Sequence, residues 1–327
     1  VIKGGLGEGR SIMIRADIDG LPLTEETELD FASKNGAMHA CGHDGHISIL
    51  LETARILQSL KDSIKGEIIL CFQPAEEIVQ GALAMIDDGL FEDYHPERVL
   101  GLHIWNQLPS GFVGVNDSAV FASADAFSLE IKGRGGHGAL PHLNVDPIVA
   151  ASNIISNAQT IVSREISPQD PGVLTFGKIE SGFAPNIIPD SVSIEGTIRA
   201  YSQEVRERIY SSLERISKLG AESMRSTATT EIMYGAGPVV NEQEVASWVR
   251  DKAREVLDPS LVGPTEPVSV GDDMAEFLQR IPGVYFLLGA SVGNKYPHHN
   301  TRFDFDEKAM INGVKVFLSC TLDFLNN

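Results

Sequence analysis

Cysteines and long apolar segments are scarce in this sequence. Its 327 residues include three cysteines, Cys41, Cys71 and Cys320, and their number and irregular spacing do not suit a disulfide framework. No apolar run approaches the ~20 residues that cross a bilayer, and no signal-peptide pattern is present. We therefore expect a cytoplasmic protein without membrane contact. The first residue is Val1 rather than methionine, which is compatible with a trimmed chain that has lost a targeting segment.

Positive charge is also scarce. Lys and Arg total 26 against 45 for Asp and Glu, which gives a formal net charge of −19. Such a charge repels a phosphate backbone, so we expect no nucleic-acid partner. The hydrophobic fraction of 43% is typical of a globular protein, and the length suffices for two domains.

Strand and helix patterns alternate in the first third of the sequence. Compact apolar runs predict strands, and apolar residues at helical spacing predict helices between them. The predicted elements are strands 11–17, 67–73 and 98–105 and helices 46–60 and 78–88. This alternation predicts an α/β fold with three layers around a mostly parallel, mixed sheet. Functional sites in such sheets lie at the carboxyl ends of the strands.

The pattern changes near residue 122, where two-sided alternation replaces the compact apolar runs. The elements predicted there are strands 125–133 and 191–201 and helices 145–163 and 203–219. They indicate a smaller α+β domain, residues 122–235, inserted into a larger domain formed by residues 1–121 and 236–327. The elements predicted after the insertion are helix 242–257, strand 284–290 and helix 306–325.

The segment MHACGHDGH, residues 38–46, contains the densest group of reactive side chains. Cys41 and His43 are two residues apart, so an extended backbone would place both side chains on the same side. Thiolate and imidazole are ligands that suit zinc. The alternative is the start of a helix with incidental histidines, capped by Asp44. Because the histidines, the cysteine and the aspartate are so close together, we favour a metal site.

Three further segments offer candidate ligands. Glu76 and Glu77 directly follow a buried strand, where two carboxylates are costly unless a cation meets them. One could bind metal while the other acts as a general base toward water. His103 lies in an apolar strand, and His298 and His299 precede the last helix. Taken singly, these residues would be a solvated Glu pair, a core histidine and a surface loop. Taken together, they predict a metal centre.

Over nearly its whole length the sequence resembles the aminoacylase, hippurate-hydrolase and auxin-conjugate amidohydrolase branch of the two-metal metallopeptidases. The motifs that carry the resemblance are, in order, RADIDGLPL, MHACGHDGH, FQPAEE, GLHIWNQLPSG, GRGGHGALPH, APNIIPD, EGTIR and HHNTRFDFDE. The pair HACGHDGH and PAEE is highly specific. The resemblance implies that Glu76 is the catalytic base. It also implies two divalent metal ions, held by Cys41, His43, Glu77, His103 and His299.

The resemblance extends to residues around the metals and in the inserted domain. It implies that Asp19 lies behind the metal centre and orients a ligand, and that Asp17 stands where many related peptidases have a metal-binding histidine. It also implies that the inserted domain is a ferredoxin-like lid that pairs two subunits into a homodimer. His137 would then reach the substrate carbonyl, while Asn186 and Arg199 would hold the substrate. An arginine fork suits the free carboxylate of an amino acid.

These expectations describe a metal-dependent amidohydrolase that cleaves N-acyl amino acids into a carboxylic acid and a free amino acid. The metal would be zinc or manganese, with cobalt or nickel also suited to the ligands. The nearest alternative is a dipeptidase or carboxypeptidase on the same scaffold. Two others are a cysteine hydrolase, with Cys41 as the nucleophile beside His43 or His46, and a non-catalytic, metal-binding dimeric protein.

Overall fold

The computed structural model describes residues 1–293 and 296–326. In this part of the chain the strands are β1 Ile2–Lys3, β2 Ser11–Asp17, β3 Glu67–Gln73, β4 Arg98–Trp105, β5 Val113–Gly114, β6 Ala119–Phe121, β7 Asp125–Lys132, β8 Gly136–His137, β9 Gly172–Glu180, β10 Ile187–Ile188, β11 Ser191–Ala200, β12 Thr227–Met233, β13 Val239–Val240, β14 Val262–Gly263 and β15 Gly283–Gly289. The helices are α1 His43–Leu60, α2 Gly81–Asp87, α3 Leu90–Asp93, α4 Pro147–Thr160, α5 Gln203–Ser223, α6 Gln243–Val256, α7 Met274–Leu278 and α8 Met310–Asn326.

The larger of two compact units comprises residues 1–120, 239–267 and 272–327. Its sheet has the strand order β1-β3-β2-β4-β15-β5-β14, and the four strands β3, β2, β4 and β15 run parallel to one another. The pairs β1–β3 and β15–β5 are antiparallel, so the sheet is mixed. The predicted α/β class with a mostly parallel sheet is confirmed.

Two groups of helices pack on this sheet. Helix α8 contacts α1 and α6, and all three contact strands of the sheet; α2 contacts α3 and α7 and lies against β3. Strand β4 is buried along almost its full length, as expected for a parallel strand that helices cover on both faces. Among the described residues, no helix has the length and apolar character that crossing a bilayer requires.

The smaller unit comprises residues 121–238 and 268–271. Its antiparallel sheet has the order β12-β7-β11-β9, and the helices α4 and α5 pack against its strands. Buried and exposed residues alternate along β11, as expected for a sheet with one covered face. The element order β7-α4-β9-β11-α5-β12 is the predicted ferredoxin-like arrangement.

Some elements differ from the sequence-based expectation. The helix predicted over 78–88 begins only at Gly81, because Ala75 and Val79 adopt left-handed backbone conformations (φ 57° and 56°) and the chain between them forms a turn. The sequence pattern also does not predict β9 and β12. Most residues of these two outer strands are exposed or half-buried, so apolar alternation along them is weak.

A buried ion pair joins helix α5 to the start of β7 in the smaller unit. Asp125 accepts hydrogen bonds from Arg206 Nε (3.0 Å) and Nη2 (2.6 Å), and the backbone N–H of Gly235 donates to the same carboxylate (3.0 Å). Burial by itself raises the pKa of Asp125, but the hydrogen-bonded guanidinium holds it below its usual value. The carboxylate is therefore charged in the folded state at neutral pH.

We expect Asp125→Ala to lower the free energy of unfolding by about 3–5 kcal/mol at neutral pH, because it leaves the buried charge of Arg206 without its counter-ion. The folded pKa of Asp125 lies below the unfolded value of about 3.9. The contribution of the pair is therefore present above that value and is lost as the pH falls through the folded pKa. Urea unfolding at pH 7 and pH 3 measures both effects. Lys178→Ala, at an exposed ion pair with Glu195, should cause little change at either pH.

Candidate metal centre

The candidate ligands of the larger unit come together at the carboxyl ends of its parallel strands. Glu76 and Glu77 follow β3, His103 lies near the end of β4, and His299 follows β15. The turn before α1 brings Cys41 and His43 to the same place. Such an edge is where α/β sheets bind ligands, because loops diverge there and leave a crevice.

Cys41 and His43 are not on an extended segment, so that part of the sequence-based expectation is wrong. Cys41 lies in a turn and His43 is the first residue of α1. Gly42 between them has a left-handed backbone (φ 85°), and a Cβ at Gly45 would collide with the side chain of Ile104. Glycine at both positions therefore lets the turn pack closely against β4.

The turn and the strand place Cys41, His43 and His103 in one group, whose ligand atoms all lie within 4.8 Å of one another. Cys41 Sγ is 3.5 Å from His103 Nε2. His103 Nδ1 donates to the backbone carbonyl of Ile104 (2.7 Å). The lone pair of Nε2 is therefore directed toward the thiol.

A second group within the same distance contains Cys41, Glu77 and His299. Glu77 Oε2 is 3.3 Å from His299 Nε2. His299 has a left-handed backbone (φ 65°), which is uncommon for a residue with a Cβ, and its N–H donates to the carbonyl of Ala40 (2.8 Å). Strain of this kind collects at functional sites. Cys41 belongs to both groups.

A third group consists of His43, Glu76 and Glu77. The structure therefore brings all five sequence-predicted ligands and the predicted base into one cluster of overlapping groups. Glu76 is buried, and its Oε2 is 3.8 Å from His43 Nε2. Glu77 is half-buried.

Several buried atoms in this cluster have no hydrogen-bond partner. They are His43 Nε2, Glu77 Oε1 and Asp19 Oδ1. A buried polar atom without a partner costs free energy, so each calls for an explanation. Two of these atoms, His43 Nε2 and Glu77 Oε1, belong to candidate ligands. Imidazole nitrogens and carboxylate oxygens both bind divalent cations. The residues present therefore fit a metal centre.

The charges of the cluster also call for cations. Burial, and then the carboxylates of Glu77 and Glu76, raise the pKa of the Cys41 thiol well above its usual value. Burial, and then Asp272 and Asp17, likewise raise the pKa of Glu76. Burial lowers the pKa of His43, but Asp17 and Asp19 outweigh it and bring that pKa to about 9. Bound divalent ions would reverse this balance, because they favour thiolate and neutral imidazole.

Asp19 lies behind His43, on the side away from the unpartnered nitrogen. Its backbone oxygen is 3.1 Å and its carboxylate Oδ1 3.3 Å from His43 Nδ1, and its Oδ2 accepts from the N–H of Glu77 (3.0 Å). Burial raises the pKa of Asp19, but the neighbouring His43 and the Glu77 N–H lower it below its usual value. The residue thus contacts two candidate ligands and fixes the ring of one of them.

Sequence reasoning missed the buried polar network beneath these residues. Arg15 donates to Asp17 (Nη1, 2.6 Å) and to Asp272 and Asp273 (Nη2, 3.1 Å each). A charged residue in the otherwise apolar strand SIMIRAD, and the paired acids of GDD at 271–273, were signals that could have pointed to it. Asp17 also accepts from His46 Nδ1, so this histidine of the dense motif faces the network.

The smaller unit contains the three remaining sequence-predicted residues, and the structure brings two of them together. His137 on β8 pairs with Ile187 of β10, and the N–H of Gly138 donates to the backbone oxygen of Asn186 (2.9 Å). His137 and Asn186 are both exposed. Arg199 lies on β11, where its Nη1 donates to the backbone oxygens of Asp125 and Ile198.

The shared position of Cys41 predicts how bound metal depends on each ligand. We expect wild-type protein to bind two divalent ions, His103→Ala to lose one of them, and Cys41→Ala to lose both, since Cys41 belongs to the group with His43 and His103 and also to the group with Glu77 and His299. Metal content per chain after dialysis, measured by inductively coupled plasma spectrometry, checks this. Cys320→Ala, a buried cysteine of α8 outside the centre, serves as the control. Full metal content in Cys41→Ala would contradict the assignment.

Comparisons with known proteins agree with this geometry. The sequence model of "Peptidase family M20/M25/M40" matches residues 13–323. The N-acetyl-L-cysteine deacetylase of Bacillus subtilis (strain 168) is 40% identical over 312 residues, which cover 94% of this chain and 73% of that protein. Thermostable carboxypeptidase 1 of Saccharolobus solfataricus is 38% identical over 330 residues, which cover 98% of this chain and 82% of that protein.

A solved structure shows the same fold. It is a Bacillus subtilis protein described as a dinuclear metal-binding peptidase from the M20 family, 30% identical in sequence, with a TM-score of 0.85 over 99% of this chain and 84% of that one. The family match spans residues 13–323, and the two relatives and this solved structure cover 94%, 98% and 99% of this chain. This chain therefore belongs to peptidase family M20/M25/M40.

Proposed function

We propose that this protein hydrolyses the amide bond of N-acyl amino acids and releases a carboxylic acid and a free amino acid. The observation that carries the proposal is the set of overlapping groups of candidate ligands, one of which includes the buried carboxylate of Glu76. A relative 40% identical to this chain is named for deacetylation of an N-acetyl amino acid. Family membership and this site both support a metal-dependent hydrolase that acts on small-molecule amides.

The ligand groups and the family support binding of two divalent metal ions. We assign the ligands to Cys41, His43, Glu77, His103 and His299, of which Cys41 belongs to two of the candidate groups. Zinc suits the thiolate and the imidazoles best, and manganese, cobalt or nickel would suit the carboxylate and imidazole ligands. When bound, such ions polarise an amide carbonyl and lower the pKa of water.

Glu76 is the proposed general base. Its carboxylate lies beside the ligands without belonging to either group that contains Cys41, so it is free to take a proton from the attacking water and return it to the leaving nitrogen. Asp19 is the proposed orienting residue, because its contact with Nδ1 of His43 leaves Nε2 of that ring as the ligand atom.

Three residues of the smaller unit are proposed to bind substrate. His137 would donate to the carbonyl oxygen of the acyl group, and Asn186, its neighbour across the β8–β10 pair, would contact the same part of the substrate. Arg199 would pair with the free carboxylate of the amino acid through the guanidinium nitrogens other than Nη1. The adjacency of His137 and Asn186 at the β8–β10 strand pair, where both residues are exposed, supports this division of roles.

A homodimer formed through the smaller unit is also part of the proposal. Strand β9 lies at the edge of its sheet, and two of its apolar residues, Val173 and Ile179, are exposed (43% and 56%). An exposed edge strand with apolar side chains can pair with a second copy of itself.

The cytoplasmic location stays a prediction; the three cysteines are all free and buried.

The dimer is tested by placing charge on the edge strand. We expect Val173→Lys/Ile179→Lys to shift the protein from dimer to monomer in sedimentation velocity, since like charges would face each other across paired edges. The control is Lys218→Glu on α5, which changes charge away from the edge. A wild-type protein that sediments as a monomer would overturn the proposed dimer and leave the hydrolase proposal in place.

One alternative activity is favoured by a specific observation. A relative 38% identical to this chain is named a carboxypeptidase, so a peptide could replace the N-acyl amino acid. A cysteine hydrolase is disfavoured, because Cys41 is buried and the raised pKa of its thiol opposes thiolate formation unless a cation is present. A non-catalytic metal-binding protein would retain the ligands and release no product.

The experiment that separates these functions measures free amino acid released from N-acetyl, N-benzoyl and indoleacetyl amino acids and from dipeptides. Metal-stripped protein is assayed before and after addition of zinc or manganese. We expect metal-restored cleavage of the acyl amino acids, faster than that of dipeptides. Faster dipeptide cleavage would favour the peptidase, and activity that survives chelation would favour the cysteine hydrolase.

The role of Glu76 has a separate test. We expect Glu76→Gln to lower kcat by at least ~10²-fold, because the amide cannot accept the proton, while the metal content stays at the wild-type value. Glu52→Gln, at a position of α1 where the side chain is 42% exposed, is the matched control and should leave kcat unchanged. Loss of metal together with activity would mean that Glu76 is a ligand rather than the base.

A further inference from the structure

Three histidines converge on the backbone of one residue, Ile104. Its N–H donates to His46 Nε2 (2.8 Å), and its carbonyl oxygen accepts from His103 Nδ1 (2.7 Å) and from His298 Nε2 (2.9 Å). The pairing of β4 with β2 ends at Gly101, three residues earlier along β4. Side chains rather than a neighbouring β2 residue therefore satisfy the backbone at this end of the strand.

His46 uses both of its ring nitrogens in this arrangement. Because Nε2 accepts the Ile104 N–H, Nδ1 must carry the proton that it donates to Asp17. The side chain is buried, and its ring centroid lies 4.8 Å from that of His103. His46 thus joins three elements, α1, β2 and β4, and it has no nitrogen left for an ion.

His298 makes the corresponding connection from the loop after β15. Its Nε2–H donates to Ile104, and its ring stacks on that of Trp105 with a centroid distance of 4.5 Å. The next residue is His299, whose backbone is left-handed. A contact that holds His298 against β4 therefore restrains the direction in which the His299 side chain leaves the loop.

We propose that His46 and His298 are positioning residues, which hold the side chains of His103 and His299 in place through the backbone of Ile104. The inference rests on the ligand roles of His103 and His299 in the proposed function. His46 accepts the N–H of Ile104 and so fixes the position of β4 relative to the turn that carries Cys41 and His43. His298 donates to the carbonyl of Ile104 and so fixes the loop of His299 at the same residue of β4. Contacts with one residue, Ile104, would then orient candidate ligands in both of the groups that contain Cys41.

The two nitrogens of His46 can be tested separately. An asparagine side chain places its amide nitrogen near the position of Nδ1, so His46→Asn keeps the donor to Asp17 and loses the acceptor for Ile104. A glutamine side chain places its amide oxygen near the position of Nε2, so His46→Gln keeps the acceptor and loses the donor. If the Ile104 contact positions His103, the two variants must differ.

Metal affinity is the primary readout, measured by competition with a chromophoric chelator on metal-stripped, full-length protein loaded with zinc. We expect His46→Asn to weaken binding about 10- to 100-fold, the usual effect of removing a partner that orients a ligand, and His46→Gln to weaken it less. His298→Leu should weaken binding to a similar extent, and His298→Gln, which keeps a donor at the position of Nε2, should restore it.

The absorption spectrum of cobalt-loaded protein supplies a second readout, because its thiolate-to-cobalt and ligand-field bands report the geometry around Cys41. We expect altered bands in His46→Asn and His298→Leu and wild-type bands in the two glutamine variants. Thr53→Val is the control: it removes a buried hydrogen bond of α1, from Thr53 Oγ1 to the carbonyl of Ile49 (2.8 Å). It should lower thermal stability and leave affinity and spectrum unchanged.

The outcomes separate this inference from the function on which it rests. Wild-type protein that binds zinc, with unchanged affinity and spectra in all four histidine variants, would overturn the inference alone. Equal losses in His46→Asn, His46→Gln and Thr53→Val would also overturn it, since they would reflect destabilisation only. Wild-type protein that binds neither zinc nor cobalt would overturn both the inference and the proposed function.

Discussion

The buried guanidinium of Arg15 is the interaction on which the ligand-bearing end of the larger unit depends. Arginine has five N–H donors, and each has a partner here: Gln73, Asp17, Tyr285, Asp272 and Asp273. These partners lie on β2, β3 and β15 and at the start of α7, so one side chain joins the elements beneath the metal centre. A lysine would supply only three donors from a single point and could not replace it. The planar fork therefore sets the spacing of the strand ends from which the candidate ligands extend.

The same network explains why the centre favours cations so strongly. Arg15 supplies one positive charge to three buried aspartates, and Glu76 lies within 4.8 Å of two of them, Asp272 and Asp273. Burial raises the pKa of Asp273 to about 6 even though Arg15 opposes the shift. Buried carboxylates without compensation are costly. Divalent ions would supply that compensation. The charges of the candidate ligands and Glu76 therefore interact with those of the Arg15 network beneath them.

Much of this structure could be predicted from sequence, for reasons that particular residues make clear. The compact apolar runs of β2, β3 and β4 identify buried parallel strands, and motifs at their ends could be grouped because such ends meet at one edge. The turn at Gly42 could not be predicted, because an extended and a turned backbone bring Cys41 and His43 equally close. The contacts of Arg15 with Asp272 could not be predicted either, since they join residues 257 positions apart. Outer strands such as β9 lack a covered second face and leave only a weak pattern.

Hydrogen bonds to backbone oxygens fix the orientation of two candidate ligand rings. His103 donates from Nδ1 to Ile104, and His43 contacts Asp19 through Nδ1, so in both rings Nε2 is the nitrogen that would bind an ion in the proposed centre. A ring held this way loses little rotational freedom when it binds metal, which strengthens binding without a further contact. Glu76, the proposed base, differs in its contacts, because its carboxylate accepts none of the hydrogen bonds found among the described residues. A proton acceptor that moved with a ligand would be displaced whenever the ligand shifted. In the proposed function, a Glu76 carboxylate outside that hydrogen-bonded framework would carry a proton from water to the leaving nitrogen while the ligands stay in place.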